Sequence, residues 1–201
     1  EDLIRQAIQR EINRGGQAFF LHNRILDIEK IKEKLSRLLP SRIKLTTAHG
    51  RMASADLEQV MYSFIKGDID CLVSTMIIES GIDIPNANTI IVNNAHTFGL
   101  SDLHQLRGRV GRFNVPAYAY FMIPKNEPLD SDARKRLNAI QEYSHLGSGF
   151  NIAMEDLEIR GAGNLLGDQQ HGFIMAVGFD LYCRLLKEAV SNLSKLVTNN
   201  R

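Results

Sequence analysis

Apolar residues recur along this chain with two alternating periods. Leu3, Ile4, Ala7, Ile8 and Ile12 share one face of a helix that Gly15 and Gly16 end. Ala18-Phe19-Phe20-Leu21 is instead a short continuous apolar run between turn-type residues, which predicts a buried strand with Phe19 and Phe20 in the core. Ile25, Ile28, Ile31, Leu35 and Leu38 return to the helical period and stop near Pro40. Ile43-Lys44-Leu45-Thr46 reads as a strand, and residues 55–66 as a helix with Leu57, Val60, Met61 and Phe64 on one side. Strands follow at Asp70-Cys71-Leu72-Val73, Thr89-Ile90-Ile91-Val92 and Tyr118-Ala119-Tyr120-Phe121-Met122. A helix opening at Ser101-Asp102-Leu103 separates the last two. Apolar strands alternating with helices predict the α/β class, with a parallel sheet covered on both faces.

In such sheets ligands gather at the carboxyl ends of the strands. The segments there are His22-Asn23-Arg24, His49-Gly50-Arg51, Ser74-Thr75 and Asn93-Asn94. All are polar, and they predict a single wet functional rim. Beyond Pro124 the alternation stops. Residues 132–143 and 151–159 read as two helices joined by Gly147-Ser148-Gly149, an antiparallel hairpin. A glycine-rich polar stretch from Arg160 to Gly172 comes next, then an amphipathic helix marked by Leu181, Leu185, Leu186, Ala189 and Leu193. The expected division is a sheet domain over 1–125 and a helical unit over 126–201 with little core of its own.

At 201 residues and 44% hydrophobic, the chain is long enough to bury a substantial core. Its net charge of +1 points to no particular partner. The residues up to Lys125 carry 16 basic and 13 acidic side chains, and those beyond carry 8 and 10, so the first part tolerates phosphate contact without demanding it. Cys71 and Cys183 have no metal-ligand spacing, and Cys71 in its apolar run reads as an inert buried thiol. The absence of a membrane-length apolar stretch and of a signal peptide predicts a soluble, cytosolic chain with no membrane partner. It opens inside a helical pattern, Glu1-Asp2-Leu3-Ile4, as expected of a piece of a longer protein.

The richest chemistry lies in Gln105-Leu106-Arg107-Gly108-Arg109-Val110-Gly111-Arg112. If the preceding helix continues, Gln105, Gly108, Arg109 and Arg112 share one face. Glycine inside a helix costs roughly 1 kcal/mol against alanine, so two of them imply a close approach of backbone to another surface. Two guanidiniums on that face could clamp a polyanion such as nucleotide phosphates. A solvated basic helix end is the plainer alternative.

Two motifs in order carry a resemblance. Ser74-Thr75-Met76-Ile77-Ile78-Glu79-Ser80-Gly81-Ile82-Asp83-Ile84-Pro85 resembles motif V of superfamily 2 helicases, and Gln105 to Arg112 resembles motif VI. The first 125 residues thus look like the second RecA-like motor domain of a helicase or translocase. Further on, Asp156-Leu157-Glu158-Ile159-Arg160-Gly161-Ala162-Gly163-Asn164-Leu165-Leu166-Gly167, with Gln170 and Gly172, resembles the TRG motif. That motif is shared by RecG branch-migration helicases and transcription-repair coupling factors. Ala162 and the continuation from Gly178 to Val190 look like the coupling-factor family rather than RecG.

The resemblance implies a fold, a reaction and partners. The fold would be a RecA-like parallel sheet sandwiched by helices, followed by a small TRG helical hairpin. Arg109 and Arg112 match the motif VI arginine fingers, worth 10³–10⁵ in rate for such enzymes, with Gln105 orienting or sensing the nucleotide. Gly81 and Asp83 match motif V positions at the nucleotide, although Asp83 also fits a capping or turn aspartate. Thr75 and Ser74 match hydroxyls that bond DNA phosphates. Asn23, Arg51 and His49 occupy equivalent rim positions; for His49 and Arg24 a surface or capping role is equally open. Arg136, Arg160 and Gln170 match the TRG network that carries motor motion to DNA, with Arg136 alternatively an ordinary exposed helix residue.

The sequence holds neither a Gly-x-x-x-x-Gly-Lys-Ser/Thr phosphate loop nor an Asp-Glu-x-His/Asp magnesium site. ATP with Mg²⁺ would therefore be held mainly by a preceding domain, no metal would be held by this chain, and the fragment alone would be inactive. In the parent the expected partners are double-stranded DNA, RNA polymerase and UvrA, the last two through regions outside this chain. The family's task is to displace stalled polymerase and couple transcription to excision repair. The rivals are a RecG-like branch-migration or fork-reversal helicase and a non-catalytic RecA-like nucleic-acid-binding module.

Overall fold

The fold is that of a computed structural model, described over residues 1–75, 86–111, 115–125, 128–144 and 147–160, with Arg160 described for its backbone only. Five parallel strands form one sheet: β1 (Gln17–Leu21), β2 (Leu45–Ala48), β3 (Cys71–Ser74), β4 (Ala87–Val92) and β5 (Tyr118–Phe121). Their spatial order is β2-β3-β1-β4-β5, so the three apolar strands β3, β1 and β4 are central. Central strands contact helices on both faces, which is why every residue of these three is buried.

Helix α1 (Asp2–Asn13) precedes β1, α2 (Ile28–Leu38) joins β1 to β2, α3 (Ser54–Ile65) joins β2 to β3, and α4 (Leu100–Arg107) joins β4 to β5. Ala7 and Ile8 of α1 and Ile28 and Leu35 of α2 form one core with Ala18, Phe20, Cys71, Val73 and Ile91. Alternation along a strand sends the next side chain to the other face. There Phe19 meets Phe64 of α3 edge-on, with ring centroids 5.0 Å apart. Phe19 and Phe20 are thus both core residues.

Two boundaries differ from the sequence reading for local reasons. The turn at Pro40 extends to Ile43, whose N–H bonds the Pro40 carbonyl at 3.0 Å, and the Asp70 carboxylate takes the Lys44 N–H at 2.7 Å. The β2 ladder therefore begins only at Leu45, pairing with Cys71. Ile25–Asp27 forms a separate 3-10 turn before α2.

The chain divides into two compact units, Glu1–Glu142 and Tyr143–Arg201. Helix α5 (Ser131–Glu142) belongs to the first, beyond the expected break at 125. It packs on α4 and on the short turn Ala95–Thr97, with Ala133, Ala139 and Ile140 buried. In the second unit α6 (Gly149–Arg160) begins after Ser148, whose hydroxyl bonds the Tyr143 carbonyl at 2.8 Å. No described helix is long and apolar enough to cross a membrane.

Candidate functional site

Because β2, β3 and β1 are neighbours running the same way, the segments that leave them meet at one end of the sheet. They enclose a cleft of about 480 Å³ lined by Asn23, Arg24, Ile25, Leu26, Gly50, Arg51 and Thr75. Asn23, Arg24 and Arg51 are exposed, and Thr75 stands at the base, 5% exposed, its N–H on the Ala48 carbonyl. Two guanidiniums, an amide and a hydroxyl in one concavity supply donors of the kind that bind phosphate oxygens. Ser74 and His49 do not line this cleft. Ser74 is only 2% exposed within the sheet, and its hydroxyl has no partner among the described residues. His49 is half-buried with Nδ1 likewise unpartnered.

Behind the cleft lies a group the sequence reading did not single out. His22 is 3% exposed, with Nε2 2.9 Å from Asp27 Oδ1 and Nδ1 3.0 Å from Asn93 Nδ2. An amide nitrogen can only donate, so Nδ1 accepts and Nε2 carries the proton given to Asp27. That hydrogen bond is the main cause holding the Asp27 carboxyl below its ordinary pKa, with the Arg24 charge assisting against burial. Alternation predicted His22 as the first residue past an apolar strand, but its partners are 5 and 71 positions away.

The arginine segment lies elsewhere. A parallel crossover must return the chain from the carboxyl end of β4 to the amino end of β5, so α4 runs back across the sheet and the residues after it reach the opposite edge. Arg14, at the end of α1 beside the start of β1, donates to the Pro116 carbonyl there at 2.6 Å. It also holds the buried carboxylate of Glu11, which accepts from the Thr89 hydroxyl. The polar segments after β1, β2 and β3 thus share one end of the sheet, and the arginine segment lies apart from them.

The helix also stops sooner than expected. It ends at Arg107, with Gly108 as C-cap at φ −70°, and the Arg109 N–H turns back to the Leu106 carbonyl at 3.1 Å. Gln105 is exposed on the helix, whereas Arg109 is half-buried beyond it, so the two do not share a helical face. Gly111 adopts φ +86°, and a Cβ there would collide with that of Ala117. The two glycines serve a helix end and a tight turn, not a thinned helix.

Arg107 is the member of this run that the sequence reading overlooked. Its place four residues after the buried Leu103 was the available signal. Its guanidinium donates to the Ile140 carbonyl and to His104 Nδ1, each at 3.0 Å, and burial lowers its pKa. From α5, Arg136 donates to the His96 carbonyl at 3.1 Å and is half-buried, so it is not an ordinary exposed helix residue. Gly81, Asp83, Arg112, Gln170 and the Arg160 side chain lie outside the described residues. Among those described, no three His, Cys, Asp or Glu side chains form a metal site.

Residues 1–114 match the family model for the helicase conserved C-terminal domain. The chain belongs to that family. As a helicase C-terminal domain its sheet is RecA-like, and a structure of RecG bound to a three-way DNA junction resembles it with a TM-score of 0.67 and 37% identity, over 85% of this chain and 22% of that one. A structure of S. cerevisiae Dbp5 bound to RNA and ADP BeF3 shares the fold at a TM-score of 0.51 and 17% identity, over 76% of this chain and 41% of that one. The transcription-repair-coupling factor of Bacillus subtilis (strain 168) is 59% identical over 94% of this chain, and that of Staphylococcus aureus (strain USA300) is 55% identical over 94%. This helicase domain and its continuation span 16% of the length of those relatives.

Proposed function

We propose that this chain is the C-terminal half of the motor of an ATP-dependent double-stranded DNA translocase, one that displaces stalled RNA polymerase and couples transcription to nucleotide excision repair. The observation that carries the reading is the convergence of Asn23, Arg24, Arg51 and Thr75 on one cleft of a helicase C-terminal domain. Translocases must grip DNA of any sequence, and donors suited to phosphate rather than to base edges meet that need. Arg109 and Arg112 would complete a nucleotide pocket begun by a preceding domain, and Gln105, Gly81 and Asp83 would contribute to it. That domain would bind Mg²⁺ and the phosphates of ATP, and the metal would neutralise charge between them. Arg136, Arg160 and Gln170 would transmit motion, a role supported for Arg136 by its bond into the turn that precedes α4.

Identity to coupling factors over nearly the whole chain supports that family's task over RecG-like fork remodelling. RNA polymerase and UvrA would bind parts of the parent outside this chain, in the cytoplasm. In the intact protein, Arg112→Ala should abolish ATPase and leave DNA binding nearly intact, whereas retained turnover refutes the finger role. Arg51→Ala should weaken binding to duplexes of every sequence alike and reduce the salt slope by about 0.9. An unchanged slope would remove the cleft from the DNA path.

A further inference from the structure

We infer that His22 is a positioning residue for the DNA cleft, holding Asn23 and Arg24 in place through paired hydrogen bonds to Asp27 and Asn93. The inference rests on the reading of the cleft as a DNA-phosphate site.

His22 follows directly after β1, and its backbone N–H still bonds the Ser74 carbonyl at 2.8 Å. The Arg24 N–H then closes back on the His22 carbonyl at 2.8 Å, which turns the chain sharply away from the sheet. Asn23 and Arg24 sit on that turn, exposed and flanked by Leu26, which is 80% exposed. Exposed residues on a tight turn have little packing of their own to hold them. Their fixed points lie beneath them: the sheet on one side and the 3-10 turn Ile25–Asp27 on the other.

The His22 ring joins those points. Its Nδ1 takes a hydrogen from Asn93, and Asn93 is itself anchored by its N–H on the Leu21 carbonyl at 2.9 Å. Its Nε2 donates to Asp27, which closes the 3-10 turn and precedes α2. A buried imidazole with both nitrogens filled is rigid, and only a ring with one donor and one acceptor fits this pair of partners. Asp27 also sits 3.9 Å from Arg24 Nε, so anchoring Asp27 limits where that guanidinium can go. The cleft is thereby shaped before DNA arrives. Ordering two side chains and a turn at the moment of binding would otherwise subtract from affinity.

The test uses the intact protein, a short duplex DNA and binding isotherms over a range of salt. His22→Phe keeps the ring but makes neither bond; it should raise Kd roughly tenfold while leaving the salt slope unchanged, because the phosphate contacts still form. His22→Gln presents an amide donor and acceptor with nearly the spacing of the ring nitrogens, and it should recover most of the affinity. A general packing defect would show no such recovery. Wild-type affinity in His22→Phe, or equal losses in both variants, overturns the inference. Should His22→Phe fail to fold, Asn93→Ala cuts the same link at a half-buried position and should show the same loss, with wild-type affinity again overturning it. Arg51→Ala separates the two levels: if it alters neither Kd nor slope, the DNA reading of the cleft fails, whatever His22 does.

Discussion

Alanine at three glycines separates a turn from a helix through the sign of the stability change. Gly15 has φ +81° with nothing within 4 Å of an added Cβ, so Gly15→Ala bears only the left-handed backbone cost, about 1–2 kcal/mol. Gly111 has φ +86° and a Cβ there would strike Ala117, which adds an overpacking cost of about 1–3 kcal/mol, for a total of about 2–5 kcal/mol. Gly108, at φ −70°, would place its Cβ 3.4 Å from the nearest atom, the Gln105 carbonyl oxygen. Gly108→Ala should therefore be neutral or stabilising by up to ~1 kcal/mol, since alanine restricts the unfolded chain more than glycine does. A helix continuous through residue 112 would instead make both Gly108→Ala and Gly111→Ala stabilising, by about 1 kcal/mol each. Urea unfolding followed by circular dichroism measures all three. A stabilised Gly111→Ala, or one no worse than Gly15→Ala, would refute the turn and the contact with Ala117.

Three further outcomes follow from the same geometry. Arg14→Ala leaves the 1%-exposed Glu11 carboxylate without its cation; the arginine is itself 26% exposed, so the loss should fall near the low end for broken buried pairs, about 3 kcal/mol. A urea-measured loss under ~1 kcal/mol would show the pair to be solvated. His104 has its pKa lowered, chiefly by burial and then by the Arg107 charge, so just below about pH 6.5 the unfolded chain binds the extra proton more readily. Its contribution is complete above that pH and is lost as pH falls toward the folded value; the urea midpoint of wild type should drop there more steeply than that of His104→Phe, and parallel profiles would contradict it. Burial, with the Asp70 charge adding to it, pushes the Cys71 thiol up to about 12, so in a Cys183→Ser background a thiol reagent should label Cys71 only at the rate of unfolding. Rapid labelling of the native chain would contradict that placement.

What the order of residues determined alone was whatever depends on near neighbours. Strand and helix periods placed all five strands and the first six helices to within a few positions, because burial of one face is written into spacing. The polar segments after β1, β2 and β3 were legible for the same reason, and three of the proposed DNA contacts, Asn23, Arg51 and Thr75, do line one cleft. Only the tertiary structure decided matters of distance along the chain. That β2, β3 and β1 are neighbours follows from sheet order, which no local period encodes. The arginine segment lies at the other edge because a parallel crossover must run back before the next strand begins. The end of α4 at Arg107 was hidden because Gly108 fits a helical φ, and the neighbour that a side chain at Gly111 would strike, Ala117, belongs to the segment that enters β5. His22 with Asn93, and Arg136 with the His96 carbonyl, are pairs separated by 71 and 40 residues. Such pairs acquire meaning only when folding brings them within hydrogen-bond reach.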